Sequence, residues 1–217
     1  MTPRTALIAG ATGLIGGYCL QALLDDPGYA EVIALVRKPI LTTHKKLKTV
    51  VTNFNDLEQN QALISAQDVF CCLGTTMKKA GSAEAFRKID LDLVVAIAEL
   101  MKTRGAEQLI VISSMGADKN SRVFYSRTKG EMEEALKGIG YYCLRIIRPS
   151  LLLGKRDEFR LGERLGGIIS PLLQPLMVGG LRKYAPVQAE SVARFMVKVA
   201  QERPVTGVHV YESNQIG

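Results

Sequence analysis

Ala6-Leu-Ile-Ala9 is an apolar run, and Gly10-Ala-Thr-Gly13-Leu-Ile-Gly16 follows it directly, where a segment of helical periodicity begins. Glycines at these positions permit a tight turn, close approach of a pyrophosphate to the backbone, and close packing of helix on strand. The N–H groups and dipole at the helix start then attract phosphate. In a chain with 20 glycines this spacing can arise by chance. Its place at the first strand-to-helix junction nevertheless predicts a nucleotide-binding turn.

Strands and helices are predicted to alternate along the rest of the chain. Apolar, β-branched runs after Ala6 to Ala9 predict further buried strands at Val32 to Val36, Leu47 to Val51, Val69 to Leu73, Leu109 to Ile112 and Cys143 to Ile147. Helical periodicity predicts helices at Leu14 to Leu24, Ala83 to Thr103, Arg127 to Lys137 and, after the last strand, Ala189 to Gln201. This alternation predicts an α/β fold, a doubly wound parallel sheet covered by helices on both faces. Ligands bind beyond the carboxyl ends of such strands.

Length and composition are those of one globular domain. The chain has 217 residues, of which 47% are hydrophobic and 23% charged, and no linker divides it, so we expect a single domain over residues 1–217. The net charge of +7 is spread along the chain, which fits either a solvated surface or an anionic ligand such as a nucleotide phosphate. Basic residues are not clustered with aromatic ones, and Trp is absent. We therefore expect no nucleic-acid partner.

Cysteine and histidine usage argues against a metal site. Cys19, Cys71, Cys72 and Cys143 form no C-x-x-C pair, and their apolar surroundings predict buried free thiols in a reducing compartment. The amino terminus lacks the pattern of an export signal, and the longest uncharged stretch, Leu165 to Leu181, is interrupted by prolines and glycines. These features predict a cytoplasmic protein without a membrane span and without a metal ion.

The end of the second predicted strand bears on cofactor choice. An NAD enzyme presents an acid there to the ribose 2′-hydroxyl, whereas this chain reads Ala34-Leu-Val-Arg37-Lys38-Pro39. Arg37 and Lys38 could bind a 2′-phosphate, the arginine through two charge-assisted hydrogen bonds, or they could form an ordinary basic loop. The missing acid favours NADP(H) over NAD(H).

Tyr125-Ser-Arg-Thr-Lys129, the only Tyr-x-x-x-Lys of the chain, predicts acid–base chemistry. On a helix these two side chains share one face. A phenol ordinarily titrates near pH ~10, and a neighbouring ammonium favours its phenolate form. A serine hydroxyl at the end of the preceding strand would polarise a carbonyl oxygen. Ser114, immediately before a turn, is the preferred candidate, and Ser113 is the alternative.

With these motifs the sequence resembles the short-chain dehydrogenase/reductase superfamily, in its atypical branch. More closely, it resembles the HIV Tat-interacting oxidoreductase family, which shares a Ser-Ser-x-Gly-Ala-Asp-Lys segment, here Ser113 to Lys119, and an Arg-Pro before an apolar run, here Arg148-Pro149-Ser-Leu-Leu-Leu. The resemblance spans nearly the whole chain. It implies a Rossmann-type NAD(P)-binding fold with a short C-terminal substrate region at approximately residues 150–187.

The resemblance also implies an activity and a set of site residues. The activity is hydride transfer from NADPH to a small carbonyl substrate, with Ser114, Tyr125 and Lys129 as catalytic residues. The alternative is a non-catalytic module that binds NADPH and controls a protein partner. The substrate pocket is expected to be small or shared, and Leu165 to Leu181 fits equally a cap, the surface of a homodimer, or irregular core. The implied cofactor-binding residues are Gly10, Thr12, Gly13, Leu14, Ile15, Gly16, Arg37, Lys38, Leu73, Gly74, Tyr125, Lys129 and Arg160.

Overall fold

The elements of the fold are defined in a computed structural model that describes residues 3–54, 63–154, 184–202 and 205–216. The strands in this part of the chain are β1 (Arg4–Ala9), β2 (Tyr29–Val36), β3 (Leu47–Val51), β4 (Asp68–Cys71), β5 (Gln108–Ile112), β6 (Cys143–Arg148), β7 (Leu152–Leu153), β8 (Val187–Gln188) and β9 (Gly207–Glu212). The helices are α1 (Leu14–Asp25), α2 (Met77–Ala80), α3 (Ala83–Arg87), α4 (Leu93–Thr103), α5 (Phe124–Ile139) and α6 (Ala189–Gln201). A π-helical turn, Lys88–Asp92, joins α3 to α4.

The main sheet has seven strands in the order β3-β2-β1-β4-β5-β6-β9. All of its neighbouring pairs are parallel, which confirms the predicted doubly wound sheet. From β1 the chain builds outward through β2 and β3, then crosses to β4 on the other side. The strand order therefore reverses between β1 and β4, whose last residues, Ala9 and Cys71, are paired. A crevice forms at such a reversal, beyond the carboxyl ends of the strands.

Alternate side chains of each central strand pack into two separate apolar cores, one on each face of the sheet. In β1, Ala6 and Ile8 pack with α1 and α6 on one face of the sheet, whereas Leu7 and Ala9 pack with α4 and α5 on the other. Successive side chains of a strand point to opposite faces, so a strand buried on both sides reads as a continuous apolar run. All six predicted strands are present, and β1, β4 and β5 are the clearest cases of burial on both faces, whereas β3 is an edge strand and mostly exposed.

Among the differences from the predicted element order, two concern predicted helices. Ala83 to Thr103 is not one continuous helix, because the π turn interrupts it. The helix at Ala189–Gln201 is not the last element, since β9 follows it and pairs with β6. As an edge strand, β9 is partly exposed and alternates apolar with polar residues, so it lacks the apolar run by which the buried strands were predicted.

A buried polar network crosses the sheet near the amino ends of its strands. The carboxylate of Asp68 is fully buried and accepts hydrogen bonds from Arg4 at 3.0 Å, from the Tyr29 hydroxyl at 2.8 Å and from the Gln108 amide at 3.2 Å. The Gln108 side chain in turn accepts from the buried guanidinium of Arg145 at 2.7 Å. These bonds satisfy the polar groups at the end of the sheet away from the crevice.

Candidate active site

The turn between β1 and α1 leaves no room for side chains at two of its glycines. Gly10 has φ +86°, and a Cβ there would lie 2.7 Å from the carbonyl carbon of Cys72. A Cβ at Gly16 would lie 2.0 Å from the carbonyl oxygen of Gly10. Gly13 caps α1 without a side-chain hydrogen bond. The first turn of the helix therefore presents backbone N–H groups that have no acceptor within the helix.

A cavity of about 330 Å³ lies beyond the carboxyl ends of β1, β2 and β4, at the reversal of strand order. Its volume falls at the lower end of the range of small-molecule sites. The residues that line it come from the glycine turn, the end of β2, the segments after β3 and β4, the helix α2, the π-helical turn and the start of α4. They are Gly10, Ala11, Thr12, Gly13, Leu35, Val36, Arg37, Phe54, Cys72, Leu73, Gly74, Thr75, Lys79, Ile89 and Leu93.

Six of the thirteen expected cofactor residues line this cavity, namely Gly10, Thr12, Gly13, Arg37, Leu73 and Gly74. Of the glycine-turn residues, Leu14, Ile15 and Gly16 do not line it, because they form the first turn of α1 and Ile15 packs into the core. Arg37 and its neighbour Lys38 are both exposed, but only Arg37 lines the cavity.

Lys79 is a second cation at the cavity that sequence reasoning missed. It lies on α2, whose N-cap is Thr76. Arg37 and Lys79 are the charged residues among the described lining, and both are positive. The cavity therefore favours an anionic ligand. A helix of four residues has too little periodicity to be predicted from sequence.

Tyr125 and Lys129 lie on the first two turns of α5, as their spacing predicts. The Tyr125 ring packs against the buried ring of Phe86, with centroids 5.6 Å apart. Lys129 is buried, and its Nζ lies 2.7 Å from Oδ1 of Asp90. Burial by itself lowers the pKa of Lys129, but the charges of Asp90 and Tyr125 more than offset it, so that this pKa is raised. The ammonium form is favoured.

The Lys129–Asp90 pair directly adjoins the wall of the cavity. A Cβ at Gly74 would lie 3.3 Å from Oδ1 of Asp90 and 3.9 Å from Nζ of Lys129. Asp90 Oδ2 also accepts a hydrogen bond from the backbone N–H of Thr75 at 2.7 Å. The wall segment after β4 is thus held by the same carboxylate that pairs with the lysine.

The two candidate serines differ in their partners. The Ser113 hydroxyl donates to Glu133, which lies one turn beyond Lys129 on α5 and also pairs with Arg148 at 2.6 Å. Ser114 Oγ is buried and has no hydrogen-bond partner among the described residues. Buried hydroxyls are normally satisfied. Ser114 therefore differs from Ser113 in that no described residue uses its hydrogen-bonding capacity.

The segment from Ser113 to Lys119 packs closely on α5 at Gly130. A Cβ at Gly130 would lie 2.1 Å from the backbone nitrogen of Lys119. The N–H of Asp118 donates to the carbonyl oxygen of Ser126 at 3.1 Å. The N–H of Met115 donates to the carbonyl oxygen of Pro149 at 3.0 Å. Gly130 is thus a structural requirement of the site that sequence reasoning missed, although it directly follows Lys129.

Other expected residues cannot be placed at the site. Arg160 lies outside the described residues, as does Leu165 to Leu181. The same holds for most of the expected substrate region at residues 150–187. Among the residues that are described, no cluster of three or more His, Cys, Asp or Glu could hold a metal ion.

The parallel sheet, the glycine turn and the cavity at the strand reversal define an NAD(P)-binding protein of the Rossmann type. A sequence model of the family described as NAD(P)H-binding matches residues 10–161, and the chain belongs to that family.

Named relatives extend this match over most of the chain. Protein FMP52, mitochondrial, of Eremothecium gossypii is 32% identical over 97% of this chain and 95% of its own length. Protein HTATIP2 of Rattus norvegicus is 35% identical over 76% of this chain and 69% of its own. The resemblance to the HIV Tat-interacting oxidoreductase family is therefore confirmed.

Solved structures share the fold at low sequence identity. MoeE5, in complex with UDP-glucose and NAD, superposes with a TM-score of 0.69 at 16% identity over 98% of this chain and 79% of that chain. UDP-glucose 4-epimerase from Thermotoga maritima, with UDP-glucose, superposes with a TM-score of 0.70 at 17% identity over 96% and 76%. At these identities the likeness concerns the fold alone. It confirms the Rossmann-type architecture.

The prediction of a cytoplasmic protein is contradicted by the relatives. FMP52 proteins from Eremothecium gossypii, Candida albicans and Debaryomyces hansenii are named as mitochondrial. The prediction was wrong because free thiols and a missing export pattern exclude only oxidising compartments and do not separate one reducing compartment from another. No helix in the described ranges is both long and apolar enough to cross a bilayer.

Proposed function

We propose that the protein is an NADPH-dependent oxidoreductase that reduces a small carbonyl compound, with Ser114, Tyr125 and Lys129 as its catalytic residues. The observation that carries this proposal is the position of the Lys129–Asp90 pair against the cavity wall at Gly74. It brings the acid–base face of α5 next to the cavity that the glycine turn opens. A cofactor site and a proton-transfer site thereby adjoin each other.

The residues of the cavity fit a phosphorylated dinucleotide. Gly10 and Gly13 line the cavity, and the start of α1 offers backbone N–H donors there for a pyrophosphate. Arg37 and Lys79 would hold the 2′-phosphate, because they are the charged groups among the described lining residues and no carboxylate there repels it. Lys38, exposed beside Arg37, would contribute only long-range attraction.

The chemistry requires three tasks of this chain. Bound NADPH would supply the hydride. Tyr125 donates its proton to the carbonyl oxygen as the carbon accepts the hydride, which leaves an alcohol and a phenolate. Lys129 stabilises that phenolate through its buried ammonium. Ser114, whose hydroxyl lacks a partner among the described residues, donates a hydrogen bond to the substrate oxygen.

The catalytic proposal is tested by Tyr125→Phe, with the exposed Tyr142→Phe as matched control. With a panel of aldehydes and ketones we expect Tyr125→Phe to lower kcat about a thousandfold, the scale of general acid catalysis. The Kd for NADPH, measured by fluorescence titration, should change less than about twofold because the phenol leaves the phosphate contacts intact. Unchanged turnover would overturn the mechanism. Tight NADPH binding without oxidation by any carbonyl compound would favour the non-catalytic module instead.

Cofactor preference is tested by three variants, Arg37→Gln, Lys79→Gln and Lys38→Gln. We expect the first two to raise the Kd for NADPH about tenfold each and to leave the Kd for NADH almost unchanged, because a charge-assisted hydrogen bond contributes about 1.5–3 kcal/mol. Lys38→Gln serves as the control for a general loss of positive charge. Equal affinities of the unaltered protein for NADPH and NADH would contradict the proposed preference.

A further inference from the structure

We infer that Asp90 is a positioning residue for the proposed reaction, whose carboxylate holds the Lys129 ammonium and fastens it to the backbone of the cavity wall at Thr75. The inference rests on the proposed function, because it assigns to Asp90 a task in the site that Tyr125 and Lys129 form.

The two oxygens of Asp90 have different partners. Oδ1 lies 2.7 Å from Nζ of Lys129, and Oδ2 accepts from the Thr75 N–H at 2.7 Å. Asp90 is 1% exposed and Lys129 3%. A charge at such depth is stable only when it is paired and hydrogen-bonded. The carboxylate therefore fixes the ammonium at one point relative to the wall.

The local backbone explains how Asp90 reaches this position. It lies on the π-helical turn Lys88–Asp92, where Asp90 and Leu91 are buried and Asp92 is exposed. A π turn holds one residue more than an α-helical turn and is frequent at functional sites. It shifts the side chains on its two sides relative to one another, and Asp90 is thereby buried against Lys129 of α5.

Three titratable groups face the Lys129 ammonium from the elements packed around it. They are Tyr125 on α5 itself, Asp90 on the π turn and Cys71 on β4. Burial raises the pKa of Cys71 to about 12, so its thiol is neutral at ordinary pH. Asp90 is therefore the carboxylate that balances the ammonium. Without it, burial would favour the neutral amine, which cannot stabilise a phenolate.

The first experiment measures the charge of Lys129 without any need for turnover. The full-length protein, labelled with ¹³C/¹⁵N-lysine, is titrated by NMR as the unaltered chain, as Asp90→Asn and as Asp92→Asn, and the Lys129 signal is assigned from Lys129→Arg. We expect the Asp90→Asn midpoint to fall by at least about two pH units, a hundredfold loss of proton affinity. The neighbouring exposed Asp92→Asn should leave it unchanged. An unchanged midpoint in Asp90→Asn would overturn the inference.

The second experiment separates positioning from a merely structural role. In Asp90→Asn the alkaline limb of the pH profile of kcat should move to lower pH, since the charged amine is lost as the pH rises through its lowered pKa. A structural role would lower stability and leave the limb in place, and that outcome would overturn the inference. If the unaltered protein reduces none of the carbonyl compounds while the Lys129 midpoint in Asp90→Asn still shifts as expected, the proposed function is wrong. In that case the pairing of Asp90 with Lys129 is retained.

A more conservative variant covers the case in which Asp90→Asn does not fold. Asp90→Glu keeps the carboxylate and moves it by one methylene. We expect Lys129 to stay charged in the NMR titration while kcat falls about tenfold, because the ammonium and the Thr75 segment no longer share one position. An unchanged kcat in a folded Asp90→Glu protein would overturn the positioning role.

Discussion

Two buried carboxylates, Asp68 at the amino ends of the strands and Asp90 at their carboxyl ends, have different surroundings. Asp68 is enclosed by side chains from neighbouring strands, Arg4, Tyr29 and Gln108. Asp90 pairs with a single lysine and one backbone N–H beside an open cavity. The Ser114 hydroxyl, two residues beyond the carboxyl end of β5, lacks a partner within the described ranges. A network among side chains inside the sheet contributes stability, whereas a buried charge pair beside a cavity is typical of a functional site.

The largest effect should come from Asp68→Ala. It leaves the Arg4 guanidinium and the buried Tyr29 hydroxyl without this acceptor, and breaking a buried pair costs about 3–5 kcal/mol. Urea denaturation should show that loss in the free energy of unfolding. The folded fraction should bind NADPH with an unchanged Kd, because Asp68 lies at the far end of the sheet.

The control for Asp68→Ala is Glu107→Gln. Glu107 is the second partner of Arg4 but is 52% exposed, so we expect little loss of stability. If Asp68→Ala raised the Kd for NADPH as strongly as a substitution in the glycine turn does, the amino and carboxyl ends of the sheet would not differ in function. That result would contradict the comparison.

Gly10→Ala should lower the stability less than Asp68→Ala does but should weaken NADPH binding more. The new Cβ would lie 2.7 Å from the Cys72 carbonyl at φ +86°, a strain of about 1–3 kcal/mol. The Kd for NADPH should rise at least about tenfold because the turn must open where a pyrophosphate would lie. Gly138→Ala on α5 is the control, since nothing lies within 4 Å of its Cβ position. It should stabilise the protein by about 0.5–1 kcal/mol with no effect on binding.

The smallest effect is expected at the exposed Glu134, which joins Lys119 of the serine segment to α5. Hydrogen bonds from Lys137 and Lys119 lower its pKa from an ordinary 4.5 to about 2. Because the folded-state pKa is lowered, the contribution to stability is present above pH ~4.5 and is lost as the pH falls towards ~2. Glu134→Gln should therefore lower the free energy of unfolding slightly at pH 7 and less at pH 3. Added salt should reduce the difference between the variant and the unaltered protein. A loss equal at both pH values in urea denaturation would show that charge is not its source.

Much of the fold follows from local sequence patterns. Residues such as Leu7 and Ile8 are apolar in succession because β1 is buried on both faces, and this signal needs no knowledge of distant contacts. The edge strand β9 was not predictable in this way, since its sequence alternates and its pairing with β6 arises only in the folded sheet.

The site divides in the same manner. Tyr125 and Lys129 were predicted because a helix brings residues four apart onto one face, and Arg37 was predicted from its place after β2. Asp90 and Gly130 were not, because their contacts lie on other segments of the chain, and Lys79 was not, because a four-residue helix has too little periodicity. The choice between Ser113 and Ser114 likewise depended on Glu133, a partner on another element.

By itself, the sequence determined the alternating order of strands and helices, the glycine turn and the helical Tyr125–Lys129 pair, since these depend on spacing within single elements. Only the tertiary structure decided that Asp90 pairs with the charged Lys129 beside the wall of the cavity. It also decided that the Ser114 hydroxyl has no partner among the described residues. The physical reason is that burial and partnership of a polar group are properties of several chain segments at once. Local patterns report which face of an element is apolar, but they do not report which distant group meets it.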